Sequence, residues 1–252
     1  MSRVLVTGAA SGLGAALSAA FRARGDEVLT TDRVGADGID LVLDITSEAD
    51  WARALAGVEE RWGGLDVLDN TAGVAGGGRI ELCSLDDWRW ITEINLFGVV
   101  RGVQTFTPML KAQRSGHIVN VASLAGLVHP GGMGSYNAVK AAVVAFTETC
   151  GHELAAYGVR ASVVCPSYFR TNLRDSMQGQ DEAIGAVIAG LVENSKVTAD
   201  DIAAAVLAGM DAGDDVIVPD EAARRAYFLK WADRAAYDEV MRHQAARLDA
   251  MS

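Results

Sequence analysis

The sequence predicts an α/β fold: a parallel sheet with helices on both faces. Three observations carry that expectation. Short apolar runs alternate with helical patterns along the chain, a glycine-rich turn joins the first such run to the first helix, and no internal repeat, low-complexity tract or linker interrupts the series. Alternation of this kind makes βαβ units whose crossovers cover both sheet faces. Ligands of such sheets sit at the carboxyl ends of the strands.

The elements follow in order. Arg3 to Val6 reads as a short apolar strand, followed by the glycine turn and a helix from about Ser11 to Arg24 that Gly25 ends. Glu27 to Thr31 resumes an extended pattern closed by Asp32, and Leu41 to Leu43 form another buried strand. Ser47 has the right chemistry to cap a helix reaching Trp62, because its hydroxyl can accept a bond from a free first-turn amide. Leu65 to Leu68 and His117 to Val121 are further β runs, separated by a helical stretch from Val99 to Arg114. Tyr136 to Tyr157 is a long helix, Arg160 to Cys165 a strand, and Val216 to Val218 the last strand.

With 252 residues, half of them hydrophobic, the chain can fill one large core, so residues 1–252 are read as one domain with a helical tail over 221–252. Lysine and arginine number 22 against 33 acids, a net charge of −11, which argues against a nucleic-acid partner. Cys83, Cys150 and Cys165 are scattered and lie at no metal-ligand spacing, so neither a disulfide framework nor a metal site is expected. Only Met1, Ser2 and Arg3 precede or open the first strand, and no apolar run approaches the ~20 residues of a membrane span. The expectation is therefore a cytoplasmic protein with no membrane partner.

Two motifs carry chemistry. Thr7-Gly8-Ala9-Ala10-Ser11-Gly12-Leu13-Gly14 stands between a strand and a helix, the context a dinucleotide-binding turn requires. Gly8, Gly12 and Gly14 let the backbone turn tightly and approach a pyrophosphate at a helix N-terminus. Asp32, ending the second strand, can accept bonds from ribose hydroxyls and repel a 2′-phosphate, which favours NAD over NADP; Arg33 beside it argues the other way. The second motif is Tyr136 and Lys140, which share a helix face at i, i+4, with Ser123 thirteen positions upstream of the tyrosine. A nearby cation favours phenolate, so the pair can exchange a proton with an alcohol or ketone.

With glycine turn, Ser123, Tyr136 and Lys140 in place, residues 3 to 220 resemble the short-chain dehydrogenase/reductase family. The resemblance implies a Rossmann-like doubly wound sheet of about seven mainly parallel strands, and hydride transfer with a nicotinamide cofactor. It implies Tyr136 as general acid/base, Lys140 as its activator and a binder of nicotinamide ribose, Ser123 as the group that positions the substrate oxygen, and Asn95 as the holder of a water behind the lysine. Cofactor contacts are implied at Gly8, Ser11, Gly12, Leu13, Gly14, Asp32, Tyr136 and Lys140. They are implied also at Asp44-Ile45 beside the adenine, at Asn70, Ala72 and Gly73 of the turn Asn70-Thr71-Ala72-Gly73, and at Pro166, Phe169 and Thr171 near the carboxamide. The family also implies a homo-oligomer, a dimer or tetramer.

Three departures from the family pattern stand out. Ser167 replaces a glycine, Thr71 replaces an asparagine whose role looks structural, and only residues 33 to 43 separate Asp32 from Asp44 where most relatives place a helix. That short connection leaves one sheet face in need of another cover. Tyr168 to about Asn194 is the segment that would form a substrate lid. Its Tyr168, Phe169, Leu173, Met177, Ile184, Val187 and Ile188 suit a hydrophobic ketone or secondary alcohol (aryl ketone, steroid or diol), with Arg170 and Arg174 as the counter-indication. An NADPH-dependent carbonyl reductase is the alternative enzyme. A nucleotide-sensing or scaffold protein is the alternative of another class, disfavoured because both Tyr136 and Lys140 are present. His129, beside Pro130, is a candidate for the pocket mouth, whereas His117 reads as a structural hydrogen-bonder. In the tail, Phe228, Trp231, Ala232 and Ala235 form one apolar stripe and Tyr237, Val240, Met241 and Leu248 another, nearly opposite. Either the chain breaks near Ala236 or the second stripe meets a neighbouring subunit; the latter is favoured, with a tail helix that closes its own pocket as the alternative.

Overall fold

A computed structural model describes residues 1–171 and 181–250. Its seven strands are β1 (Arg3–Thr7), β2 (Glu27–Asp32), β3 (Leu41–Val42), β4 (Val67–Asn70), β5 (Gly116–Val121), β6 (Val159–Val164) and β7 (Val216–Ile217). They form one sheet in the order β3-β2-β1-β4-β5-β6-β7, and every neighbouring pair is parallel. The order reverses between β1 and β4, so the loops leaving those two strands diverge and open a crevice at their carboxyl ends.

Helices α1 (Gly12–Ala23) and α8 (Ala199–Ala212) cover one face; α2 (Glu48–Trp62), α4 (Gly98–Gln113) and α6 (Gly134–Leu154) cover the other. Alternate strand residues decide which layer each helix meets, since successive side chains leave a strand on opposite faces. Val4 and Val6 pack with Leu17, Phe21, Val206 and Met210, while Leu5 and Leu68 pack with Trp51, Phe106 and Leu110. Trp51 stands edge-on to Phe106 at 6.4 Å between ring centroids. It fits because Gly102 has no side chain: a Cβ there would lie 2.7 Å from the indole. Ser47 caps α2 as its chemistry predicts, accepting from the Asp50 amide at 3.2 Å.

The short β2–β3 connection holds itself in place. Asp40 accepts from the Thr30 amide at 3.0 Å and from its hydroxyl at 2.8 Å, and Ile39 packs onto the α1/α8 layer. Val34 and Val42 beside it stay 57% and 47% exposed, so the sheet edge a helix would have covered remains partly open.

The remaining helices are α3 (Leu85–Thr92), α5 (Ala125–Val128), α7 (Glu182–Glu193), α9 (Glu221–Ala232) and α10 (Arg234–Asp249). A π-helical turn, Glu93–Phe97, joins α3 to α4. The tail breaks as the first alternative expects, at Asp233, whose carboxylate caps α10 by accepting from the Ala236 amide at 3.0 Å. The second stripe meets its own chain: Tyr237 packs with Leu127, Val128 and Val143, and Leu248 with Met133, Tyr136 and Ile184. The first stripe is the more exposed, with Phe228 71% and Trp231 74% exposed, although Val240 of the second is 43% exposed. Among the described residues no helix is long and apolar enough to cross a membrane.

Candidate active site

The crevice between β1 and β4 continues into one cleft of about 1370 Å³, bounded by Gly8, Asp32 and Asp44 at one end and by Trp90, Ile184 and Leu248 at the other. At the first end, Gly8 and Gly12 have φ of 71° and 55°, the left-handed region where a Cβ is strained. A side chain at Gly14 would put its Cβ 2.2 Å from the Gly8 carbonyl oxygen, and one at Gly8 would meet Ala72 at 2.9 Å. The turn therefore has room for backbone alone. Ser11, the N-cap of α1, makes no side-chain capping bond, so its hydroxyl and first-turn amides face the cleft as an anion cradle. That donor set fits the pyrophosphate of a dinucleotide.

Asp32 lines the cleft beside Arg33. Its two oxygens accept from Ala10 N–H at 3.1 Å and Val34 N–H at 3.3 Å, which fixes the carboxylate at the strand end and ties it to the turn. Asp44 closes its own turn by accepting from Thr46 N–H at 2.9 Å. Ile45 reaches α4 where Gly98 leaves space, a Cβ at Gly98 falling 2.6 Å from its Cδ1.

At the reacting end Ser123, Tyr136 and Lys140 line the cleft together. The α6 helix places Tyr136 and Lys140 one turn apart, and Ser123 leaves the end of β5 to hydrogen-bond the phenol. Burial pushes the Tyr136 phenol up to about 12, the Ser123 bond opposing it. Burial likewise pulls the Lys140 ammonium down to about 8. The expectation that the cation lowers the phenol is thus outweighed here by desolvation. The ammonium lies 5.8 Å from the Tyr136 ring centroid and donates to Val121 O at 2.9 Å. Asn95, fully buried in the π-turn, accepts from Val74 N–H at 2.8 Å and donates to Val74 O at 2.9 Å. Its side chain therefore pins the loop after β4, and Gly73 must be glycine because a Cβ would lie 2.9 Å from Asn95 Oδ1.

Pro166, Phe169 and Thr171 line the same cleft, as do Leu13, Ala72 and Gly73. Pro166 O accepts from Leu124 N–H at 2.9 Å, linking the β5 and β6 loops across the crevice. Ser167 donates its amide to Asp220 at 3.0 Å. Leu173, Arg174 and Met177 lie outside the described residues. Ile184 and Ile188 pack with Met133 and Tyr136, and Val187 sits against them.

Comparison with known proteins settles the family. The model of the short chain dehydrogenase family matches residues 2–182. This chain belongs to the short-chain dehydrogenase/reductase family. It is 34% identical over 234 residues to 2-(R)-hydroxypropyl-CoM dehydrogenase of Xanthobacter autotrophicus, covering 84% of this chain and 93% of that one. A short-chain dehydrogenase/reductase from Burkholderia phymatum in complex with NAD superposes with a TM-score of 0.85 at 29% identity, covering 92% of this chain and 94% of that one. A relative from Burkholderia cenocepacia in complex with NADP gives 0.81 at 28% identity, covering 95% and 97%. The chain is therefore an oxidoreductase of a family whose dehydrogenases act on CH–OH groups.

Several residues singled out in the sequence have places of their own in the structure. Asn70 does not line the cleft: its amide donates to Asn120 at 2.9 Å, which donates to Thr147 at 3.0 Å, a ladder beneath the sheet's carboxyl edge. Thr71, expected to be structural, does line it. His129 turns away from the mouth. Its Nε2 meets Gly126 O at 3.2 Å and its Nδ1 meets Lys230 of α9 at 3.0 Å. His117 is structural as expected, held by Ser162 and Arg160. Trp90 lines the cleft, and so do Met241, Gln244, Arg247 and Leu248 of α10; of these only Met241 and Leu248 belong to the tail's second stripe.

Asp69 escaped the sequence reading. It is fully buried, in register between Val6 and Val119, with a hydrogen bond from Thr71 Oγ1 to its Oδ1 and no partner on Oδ2 among the described residues. Burial raises its carboxyl to about 7. Between the ordinary 3.8 and about 7 the unfolded chain is ionised while the folded chain keeps the proton, so stability falls as pH rises through that window. Asp69→Asn keeps the shape without the charge. Relative to it, wild type is expected to lose about 2 kcal/mol of unfolding free energy between pH 5 and pH 8. Urea titrations at both pH values measure this, and parallel changes in the two proteins would count against it.

Proposed function

We propose that the protein transfers a hydride between NAD(H) and a hydrophobic secondary alcohol or ketone. The convergence of Ser123, Tyr136 and Lys140 at one end of a cleft whose other end is the glycine turn supports this most directly. The bound nicotinamide would supply the hydride donor or acceptor. Ser123 holds the substrate oxygen beside the phenol, and Tyr136 gives its Oη proton to a ketone or takes one from an alcohol. Lys140 would hold the nicotinamide ribose, and its charge would oppose the rise that burial gives the phenol. Asn95 sets the backbone behind it for a water in the proton path. The apolar lining formed by Val74, Trp90, Ile184, Val187 and Ile188 suits a hydrophobic substrate body. The name of the Xanthobacter relative, a dehydrogenase of a secondary alcohol, is consistent with that class.

Asp32 supports NAD, because a carboxylate fixed at the end of β2 repels a 2′-phosphate. Arg33 on the same rim, and the NADP-bound relative, favour the second reading, an NADPH-dependent reductase. Asp32→Ala is expected to lower kcat/KM with NAD by about tenfold and to raise it with NADP, one hydrogen-bonded charge being worth roughly 1.5–3 kcal/mol. Steady-state kinetics with both cofactors decide it, and a wild type that prefers NADPH would show that Arg33 dominates. We read the assembly as a dimer or tetramer, supported by the exposed Phe228 and Trp231 of α9.

A further inference from the structure

We infer that Arg247 of α10 recognises an oxyanion, of carboxylate or sulfonate type, at the end of the substrate remote from its reacting carbon. This deepens the ketone and alcohol assignment and rests on it. Met241, Gln244, Arg247 and Leu248 recur at i, i+3, i+6, i+7, so one face of α10 lines the cleft. Leu248 is buried among Met133, Tyr136, Ile184 and Ile188, which brings this end of the helix to the reacting side rather than the nucleotide side. Close packing fixes it there: a Cβ at Gly132 would lie 2.9 Å from Leu248 Cδ1, and one at Gly131 would lie 3.0 Å from the Ala245 Cβ.

The next residue is anchored as well. Arg79, in the loop after β4, holds Asp181 at the start of α7 at 2.9 Å and reaches Asp249 at 3.8 Å. The guanidinium of Arg247 is thus presented by a helix end tied on both sides.

Its charge has no counterpart among the described residues. No carboxylate of theirs lies within ion-pair distance of Arg247, although the chain carries 33 acids against 22 bases. Of the other charged residues lining the cleft, Asp32, Arg33 and Asp44 stand at the nucleotide end and Lys140 at the reacting centre. Glu93 is paired with Arg101 at 2.6 Å. What remains, among the described residues, is an apolar chamber whose solvent-exposed rim carries one cation outside any ion pair, Arg247, and the Gln244 amide. An amphiphilic substrate would place its apolar body against Ile184 and Ile188 and its anionic end at the rim, on the planar fork of Arg247.

The test compares para-acetylbenzoate and levulinate, each against its own methyl ester, with wild type, Arg247→Ala and Arg247→Lys. The wild-type ratio of kcat/KM, acid over ester, is expected to exceed about tenfold on at least one scaffold. That is the size of one charge-assisted hydrogen bond. It should fall to about one in Arg247→Ala and return in part in Arg247→Lys. A merely structural role would lower both arms together and leave the ratio unchanged, which would overturn the inference, as would a wild type that favours the esters. If wild type turned over none of the four compounds while reducing other ketones, the inference would be overturned and the ketone assignment would stand; no turnover of any ketone would remove both.

Discussion

Replacing Tyr136 by Phe is expected to lower kcat by about 10²- to 10⁴-fold, the usual contribution of a positioned general acid–base group. Only the hydroxyl is lost. The ring stays among Met133, Ile184 and Leu248, so the fold and the affinity for the dinucleotide should survive. Burial holds this phenol well above its ordinary 10.0, which keeps it protonated and suited to donate to a ketone. Alcohol oxidation needs the phenolate and should therefore gain with rising pH, while ketone reduction should not. A Tyr136→Phe variant retaining more than about a tenth of wild-type turnover would contradict the assignment.

The second large effect is at Lys140. Lys140→Met is expected to cut turnover by at least about 10²-fold and yet to raise stability at neutral pH. Its ammonium is buried and drawn down to about 8 from 10.5. Below pH 8 both folded and unfolded chains carry the charge, and burying it costs on the order of 3 kcal/mol. Between about 8 and 10.5 the unfolded chain holds a proton that the folded chain has released, so stability rises with pH through that window. The variant loses the bond to Val121 O, worth about 1 kcal/mol, so its net gain at pH 7 is about 2 kcal/mol. Above pH 10.5 the gain should vanish. Urea unfolding at pH 7 and thermal melting across the alkaline range measure the crossover. A variant less stable than wild type at pH 7 would show that the cation is not buried at a cost.

Much of this was legible in the sequence because local rules and tertiary demands agree. The glycine turn is confined by backbone contacts a few residues away, such as Gly14 against Gly8, and a strand–turn–helix pattern encodes those directly. Tyr136 and Lys140 share a helix face, so their spacing alone brings them together. Less legible was position that depends on the partner layer. Asn70 and Thr71 are adjacent in a strand and its turn, and which of them faces the cleft follows from the pleat and not from residue type. Asp69 reads as an ordinary acid until the sheet buries it between two valines. The tail's two stripes imply a break near Ala236, and the structure has it at Asp233; which stripe meets the protein depends on the layer beneath, which periodicity does not carry.

Following reduced-nicotinamide absorbance in purified protein, supplied in turn with NADH and NADPH and a panel of aryl and steroid ketones, tests the central claim most directly. Consumption of NADH with a higher kcat/KM than NADPH, abolished in Tyr136→Phe, is the expected result. Tight dinucleotide binding without turnover of any ketone or secondary alcohol would contradict it and would favour a nucleotide-sensing role for the same cleft.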